Sequence, residues 1–153
     1  MTDASALYQL KGLSKRYTRG KETVAIFDGL DMTISQGDFI AIMGPSGSGK
    51  TTLLNLLGGI DKPSSGEVVF EGQRIDNLSQ GRLAKWRAKN AGFIFQFYNL
   101  MPTLSAAQNV ELPLLLTSLS GKARKERVKT ALDIVGMVDR AGHRPGQLSG
   151  GQQ

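Results

Sequence analysis

The chain has 153 residues, of which 40% are hydrophobic and 21% charged, a composition that predicts an ordinary globular domain and excludes a disordered or fibrous protein. It has no cysteine, which excludes disulfides and thiolate metal sites, and its longest nearly apolar stretch, residues 112–119, is far shorter than the roughly 20 residues that cross a bilayer. The formal net charge of +6 is compatible with nucleic acid, an anionic membrane surface or phosphate ligands as partners. The first ten residues, "MTDASALYQL", include an acidic residue and lack a continuous apolar core, so we expect no signal peptide and a cytosolic protein.

The first half of the chain alternates short apolar runs with glycine-rich turns. "ALYQLKGLSKRYT" and "VAIFDGLDMTIS", separated by a turn at Gly20, predict an antiparallel pair of strands. "DFIAIMG" (residues 38–44) predicts a compact apolar strand. The sequence "GKTTLLNLLGGI" then predicts a helix that ends at Gly58 and Gly59.

The second half is mostly helical in pattern. "GEVVFEGQRI" predicts a strand and turn, "SQGRLAKWRAKN" a polar helix with Trp86 as a packing anchor, and "AGFIFQ" a short buried strand. "TLSAAQNVELPLLL" predicts a helix with Ser105 as its N-cap, and "KARKERVKTALDIVGMV" an amphipathic helix whose basic residues form a solvated face. These elements predict an α/β core with an antiparallel β start and a helical second half.

The most specific motif is "GPSGSGKTT", which fits the phosphate-binding pattern G-x-x-x-x-G-K-[ST]. Gly47 and Gly49 allow successive N–H groups to point inward at an anion, and the following helix adds its dipole. Lys50 can reach the β- and γ-phosphates, and the Thr51 hydroxyl can ligate Mg²⁺. A glycine-rich turn that binds nothing is the alternative, which the flanking apolar strand and helix disfavour. The predicted triphosphate site consists of Gly44, Pro45, Ser46, Gly47, Ser48, Gly49, Lys50, Thr51 and Thr52.

This loop alone does not distinguish kinases, GTPases and transport ATPases. Two later motifs do: "AGFIFQFYNLMPTLSAAQNVELPL", which contains Gln96, and "QLSGGQQ" at residues 147–153. In this order the three motifs resemble the nucleotide-binding subunit of ABC (ATP-binding cassette) transporters over nearly the whole chain. The first two look most similar to the ATPases of the lipoprotein-releasing and macrolide-exporter group.

The resemblance implies a P-loop NTPase (RecA-like) core with an N-terminal antiparallel β subdomain and a helical subdomain. It implies one nucleotide-binding domain over residues 1–153, with the β subdomain and P-loop core in residues 1–95. The Q-loop, helical subdomain and signature motif then occupy residues 96–153.

The resemblance also implies roles for residues outside the P-loop. Tyr17 matches the aromatic residue that stacks on adenine, although a half-exposed strand tyrosine is an alternative. Gln96 matches the Q-loop glutamine, which approaches Mg²⁺ and the attacking water; a glutamine bonded in a turn is the alternative. The signature motif comprises Leu148, Ser149, Gly150, Gly151 and Gln152, and Ser149 also reads as a helix N-cap suited to a γ-phosphate.

Further implications concern partners. The signature of one subunit closes over the P-loop of another, which implies a homodimer holding two ATP molecules. Residues 97–116 match the surface that receives a membrane permease, although their apolar side chains could also be helix core. The implied location is the cytoplasmic face of the membrane, as a peripheral subunit. His143 precedes the signature, whereas the family's switch histidine follows it, so we assign His143 no catalytic role.

The predicted function is an ATP-binding subunit that couples ATP binding and hydrolysis to export or lipoprotein release, with ATP and Mg²⁺ as cofactors. In the family the general-base glutamate, a metal-binding aspartate and further core strands follow the signature. We therefore expect the 153-residue chain to fold incompletely or bind nucleotide weakly, and to hydrolyse ATP negligibly.

Two alternatives stay open. One is a soluble ABC-type ATPase acting on nucleic acid or ribosomes, which the basic charge mildly favours. The compact segment from Gln96 to Leu148, without long insertions or zinc-binding cysteines, argues against it, and we expect no direct nucleic-acid contact. The other is a non-catalytic nucleotide-binding module. The transported substrate is not encoded in these residues.

Overall fold

The computed structural model describes residues 6–153, which divide into two compact units with a boundary between Phe93 and Ile94. Each unit has a hydrophobic core of its own. Across residues 6–153 we find no helix with the length and apolar character needed to cross a membrane.

The first unit is built on a four-stranded antiparallel sheet. Strands β1 (Ala6–Arg19) and β2 (Glu22–Ser35) form a long hairpin whose turn contains Gly20 in the left-handed region, at φ 62°. Strand β3 (Ser65–Phe70) pairs with the other edge of β1, and β4 (Gln73–Arg74) completes the order β2-β1-β3-β4. The predicted antiparallel start is therefore confirmed, as is the strand and turn after it.

The core of the first unit lies between the sheet and two helices, α1 (Lys50–Leu57) and α2 (Gln80–Asn90). Helix α1 ends at Gly58, as predicted. Trp86 of α2 is only 8% exposed, and its ring packs edge-on against Phe70 of β3 with 5.2 Å between ring centroids. The predicted packing role of Trp86 is confirmed. The buried cluster comprises Leu10, Leu13, Leu53, Leu56, Leu57, Val68, Phe70, Ile75, Leu83 and Trp86.

The two further strands predicted from "DFIAIMG" and "AGFIFQ" are wrong for this structure. Residues 38–44 and 91–96 have no regular secondary structure, and neither segment joins the four-stranded sheet. Phe39 is 99% exposed and Ile94 is fully exposed. A strand that is apolar along its whole length requires cover on both faces, and residues 6–153 do not supply it here.

The second unit is helical. Helix α3 (Ala106–Glu111) begins with the predicted cap: the Ser105 hydroxyl accepts a hydrogen bond from the Gln108 N–H, and the Gln108 side-chain oxygen accepts one from the Ser105 N–H. The chain then tightens into a 3₁₀ helix, Leu112–Leu116, because Pro113 has no N–H with which to continue an α-helix.

Helix α4 (Gly121–Ile134) is the predicted amphipathic helix, capped by Ser120. Two short 3₁₀ turns, Val138–Arg140 and Pro145–Gln147, lead to the end of the chain. The core of the second unit comprises Val128, Leu132, Met137 and Leu148, with partly buried side chains of α3 packed against it.

Candidate functional site

The phosphate loop gets its shape from glycines in conformations that other residues rarely adopt. Gly47 lies at φ 80°, and Gly49, the N-cap of α1, lies at φ 89°. A Cβ atom on Gly49 would be 2.7 Å from Cγ2 of Ile26 and 3.0 Å from Cζ of Phe27, both on β2. Glycine is therefore required at position 49 for two reasons: its left-handed backbone angle and its close packing on the sheet.

The N–H groups of the loop are available to an anion. Among residues 6–153, the amides of Gly47, Gly49, Lys50 and Thr51 donate no hydrogen bond, while the Ser48 N–H bonds the Pro45 carbonyl. Unpaired N–H groups at the start of a helix, together with the helix dipole, favour phosphate oxygens. The loop therefore fits a polyphosphate.

Lys50 is held across the same loop. Its Nζ donates hydrogen bonds to the carbonyl oxygens of Gly44 and Pro45, at 2.8 and 2.7 Å. These two hydrogen bonds fix the ammonium group against the backbone of the loop. Such a position allows the ammonium to exchange carbonyl partners for phosphate oxygens with little rearrangement.

Thr51 is the residue of this loop that fits a hard cation. Its side chain is exposed, and its hydroxyl makes no hydrogen bond within the described part of the chain. No cluster of three or more His, Asp and Glu side chains able to hold a metal occurs in residues 6–153. Mg²⁺ in nucleotide sites is bound by one or two protein oxygens together with phosphates and water, so a single hydroxyl is compatible with it.

Tyr17, the predicted adenine-stacking residue, lies near the end of β1 with its side chain partly exposed. Its hydroxyl donates a 2.6 Å hydrogen bond to Asp61 Oδ2. This bond, with partial burial, raises the pKa of Tyr17, while the Thr52 hydroxyl acts in the opposite direction. Burial disfavours ionisation of Asp61, yet hydrogen bonds from Lys15 and Tyr17 leave its pKa below the usual value. Tyr17 and the P-loop residue Thr52 are therefore neighbours in the first unit.

Gln96 lies in the second unit, in an exposed bend between the predicted strand and α3. The structure gives its side chain no hydrogen bond among the described residues. Two residues later, the Tyr98 hydroxyl lies next to the signature motif: a Cβ atom on Gly150 would be 3.0 Å from it. The Q-loop segment and the signature are therefore neighbours within this unit.

The signature residues form an exposed turn attached to the core by one side chain. Leu148 is buried, whereas Ser149, Gly150, Gly151 and Gln152 are exposed. The Ser149 carbonyl accepts hydrogen bonds from the N–H groups of both Gln152 and Gln153, which is the start of a helical turn. The Gln152 side chain accepts from the Ser149 N–H, and the Ser149 hydroxyl is unbonded within residues 6–153. The N-cap predicted at Ser149 thus has the backbone pattern of a cap and a hydroxyl free to bind a ligand.

His143 belongs to the connection between the short 3₁₀ turns. Its carbonyl accepts the Ala106 N–H, and its ring contacts Arg140 Nη1 at 3.3 Å. These are contacts of a surface connection.

Comparison with known proteins agrees with the motifs. A family model described as "ABC transporter" matches residues 27–153. The chain belongs to the ABC transporter family. It is an ATP-binding domain of that family, with the α/β P-loop NTPase fold.

Relatives of this ABC domain include transporter proteins from several bacteria. Macrolide export ATP-binding/permease protein MacB 2 of Aeromonas hydrophila is 49% identical over 147 residues, which are 96% of this chain and 23% of the relative. An uncharacterized ABC transporter ATP-binding protein of Thermotoga maritima is 45% identical over 145 residues, or 95% of this chain and 62% of the relative.

Among solved structures, the ATP-binding cassette MJ0796, in a dimeric post-hydrolysis state bound to ADP and Pi, is similar with a TM-score of 0.84 and 41% identity. The similarity covers 95% of this chain and 64% of that one. The chain thus spans less than two thirds of the length of these relatives. Membership of the family implies nucleotide binding.

Two residues beside Tyr17 were not found from the sequence. Lys15 and Asp61 bond one another at 2.7 Å and contact the Tyr17 side chain. Lys15 precedes Tyr17 by two positions, but Asp61 lies 44 residues beyond it, and no motif spacing connects the two.

Proposed function

We propose that this ABC domain binds ATP at residues 44–52 and, within its complete transporter, hydrolyses it to drive export or lipoprotein release. The observation that carries the proposal is the phosphate loop itself: unpaired N–H groups at the start of α1, with the Lys50 ammonium held 2.7–2.8 Å from the loop carbonyls. This array is complementary to a triphosphate and has no evident structural purpose of its own.

We assign different residues of the site different roles in binding ATP. The backbone N–H groups of Gly47, Gly49, Lys50 and Thr51 bind phosphate oxygens, and the Lys50 ammonium neutralises charge that develops on the β- and γ-phosphates. Tyr17 presents its ring to adenine. Thr51 would hold Mg²⁺, which when bound supplies further neutralisation of phosphate charge, and Gln96 is a second candidate oxygen ligand. The free Thr51 hydroxyl and the exposed Gln96 amide are suitable oxygen donors.

We propose that the signature residues act on a second copy of the chain. Leu148, Ser149, Gly150, Gly151 and Gln152 offer a free hydroxyl and glycine N–H groups suited to a γ-phosphate. The similar cassette MJ0796 is described as dimeric, which supports a homodimer with two nucleotides between subunits.

The membrane partner is proposed to dock at residues 97–116. This segment presents a series of exposed apolar side chains, including Phe97, Met101, Leu115 and Leu116. Its helix α3 also borders a cavity of about 270 Å³, whose opposite wall is α4 with Lys125 and Lys129. The MacB relatives are named as ATP-binding/permease proteins, which supports a permease partner for this domain. We propose that this permease is either a separate chain or a segment fused to the ATP-binding domain. This assembly would place the domain at the cytoplasmic face of the membrane as a peripheral subunit.

The 153-residue chain by itself is proposed to bind nucleotide without appreciable hydrolysis. Lys50 and Gln96 neutralise charge and position water, but neither side chain can act as general base, and we assign that role to no carboxylate of the chain. The exposed side chains of Phe39 and Met43, in the segment before the phosphate loop, further support incomplete cover of the first unit.

The test is calorimetric titration of the purified chain with ATP and Mg²⁺, compared with Lys50→Ala. We expect one saturable site per chain, and a loss of affinity of about 10- to 100-fold in the variant because a charge-assisted phosphate contact is removed. Lys21→Ala removes a positive charge from the β1–β2 turn and is the matched control, with affinity unchanged.

Unaltered binding by Lys50→Ala would exclude the phosphate loop as the site. Phosphate release by the same protein should stay at background. Binding of duplex DNA in preference to ATP would favour the nucleic-acid alternative.

A further inference from the structure

The hydroxyl of Tyr17 has a charged acceptor of its own. It donates to Asp61 Oδ2 at 2.6 Å, the length of a bond from a hydroxyl to a carboxylate. Stacking on a purine uses the face of the aromatic ring and has no need of this hydroxyl. The bond therefore calls for a separate explanation.

Lys15 covers one face of the same ring. Its Nζ lies 4.6 Å from the Tyr17 ring centroid, within the range of a cation–π interaction. The Lys15 side chain is only 10% exposed, and its ammonium donates to Asp61 Oδ1 and to the Lys62 carbonyl, both at 2.7 Å. With one face of Tyr17 occupied by a buried cation, only the other face can receive a base.

Asp61 is itself fixed to the end of the P-loop helix. Its N–H donates to the Asn55 carbonyl, and its Oδ1 also accepts the Lys62 N–H at 2.7 Å. Asp61 thus bonds the end of helix α1 through its backbone N–H, and Lys15 and Tyr17 on strand β1 through its carboxylate.

From these contacts we infer that Asp61 is a positioning residue for nucleotide binding, which with Lys15 fixes the Tyr17 ring so that a single face is presented to adenine. The inference rests on the proposed function, in which the Tyr17 ring stacks on adenine, because it gives Asp61 and Lys15 the role of orienting that ring. A ring held in place before the ligand arrives loses less rotational freedom on binding, which strengthens the adenine-dependent part of the affinity. The phosphate-dependent part belongs to the P-loop and is unaffected.

The deciding variant is Tyr17→Phe, which keeps the aromatic ring and removes the hydroxyl that bonds Asp61 and contacts the Thr52 side chain. We expect the affinity of the 153-residue chain for ATP to fall about three- to tenfold, the cost of one lost charge-assisted hydrogen bond. Affinity for inorganic tripolyphosphate, which has no base, should stay the same. A ring that only stacks would bind ATP equally well as phenylalanine.

Tyr8→Phe is the matched control. It lies on the same strand and loses a hydroxyl bond to the Leu57 carbonyl, at 3.1 Å, that has no connection with Tyr17. It should leave the ratio of ATP affinity to tripolyphosphate affinity unchanged. Asp61→Asn should lower that ratio. The double variant with Tyr17→Phe should lower it by less than the sum of the two single effects, because both substitutions break the same bond.

The outcomes separate this inference from the proposed function. If Tyr17→Ala lowers the ratio while Tyr17→Phe and Asp61→Asn do not, stacking stands and the positioning role is overturned. If Tyr17→Ala also leaves the ratio unchanged, Tyr17 does not contact the base and both roles of Tyr17 fail. If neither ATP nor tripolyphosphate binds the unaltered chain, the proposed function fails and the inference fails with it.

Discussion

The phosphate loop and the signature turn offer similar groups to an anion, but the chain builds them in different ways. In the phosphate loop, Gly49 packs directly on β2, Lys50 is bonded to the loop carbonyls, and the helix behind it buries three leucines. In the signature turn, Leu148 alone is buried, and a Cβ atom on Gly151 would meet nothing within 4 Å.

The difference indicates how complete each site is. The phosphate loop is shaped by contacts inside its own unit, so it is prepared to bind before any partner arrives. The signature turn has one buried anchor, Leu148, and an open glycine, Gly151, as expected of a surface that another molecule completes. Substitutions in the two regions should therefore have different consequences.

The largest effect on stability is expected for Gly49→Ala. The new methyl group would collide with Ile26 and Phe27 while the residue stays in a left-handed conformation. Left-handed strain and overpacking together should lower the free energy of unfolding of the first unit by about 2–5 kcal/mol. Urea unfolding followed by the fluorescence of Trp86, the single tryptophan, measures this directly.

Gly47→Ala is the control for this prediction. Gly47 has a similar φ, 80°, but a Cβ atom there would meet nothing within 4 Å. Its cost should be limited to backbone strain, about 1–2 kcal/mol. Equal effects of the two substitutions would mean that packing on β2 does not shape the loop.

A somewhat smaller effect is expected for Leu148→Ala in the second unit. Leu148 shares a core with Val128, Leu132 and Met137, so its truncation leaves a cavity that should cost about 2–4 kcal/mol. Amide hydrogen exchange of helix α4 reports this loss of protection. Leu116→Ala, at a side chain 92% exposed, should leave the exchange of α4 unchanged. Unchanged protection in Leu148→Ala would show that the signature is not anchored through this side chain.

Local sequence patterns predicted most of the helices and strands, because the residues that start and end these elements are close together in the chain. The β1–β2 hairpin, the cap at Ser105 and the end of α1 at Gly58 depend on turn residues and capping chemistry, which a short window contains. The apolar segments 38–44 and 91–96 failed as strands for the opposite reason. Whether such a segment forms a strand depends on neighbouring strands that are distant in the sequence.

In the candidate site, too, sequence predicted the local features and not the contacts between distant residues. The phosphate-loop positions could be assigned from sequence because a fixed spacing encodes one turn of backbone and one helix start. The contacts of Tyr17 with Lys15 and Asp61 could not, because they depend on how strand β1 packs beside the end of α1. A partly buried ion pair between residues 46 positions apart leaves no local pattern.

The central claim is that the phosphate loop is complete within one chain whereas the signature turn requires a second copy. Hydrogen exchange with and without ATP, at protein concentrations below and above dimer formation, tests it most directly. We expect ATP to protect residues 44–52 at every concentration, and residues 148–152 only where dimers form. Absence of protection at residues 44–52, or equal protection of residues 148–152 in the monomer, would contradict the account.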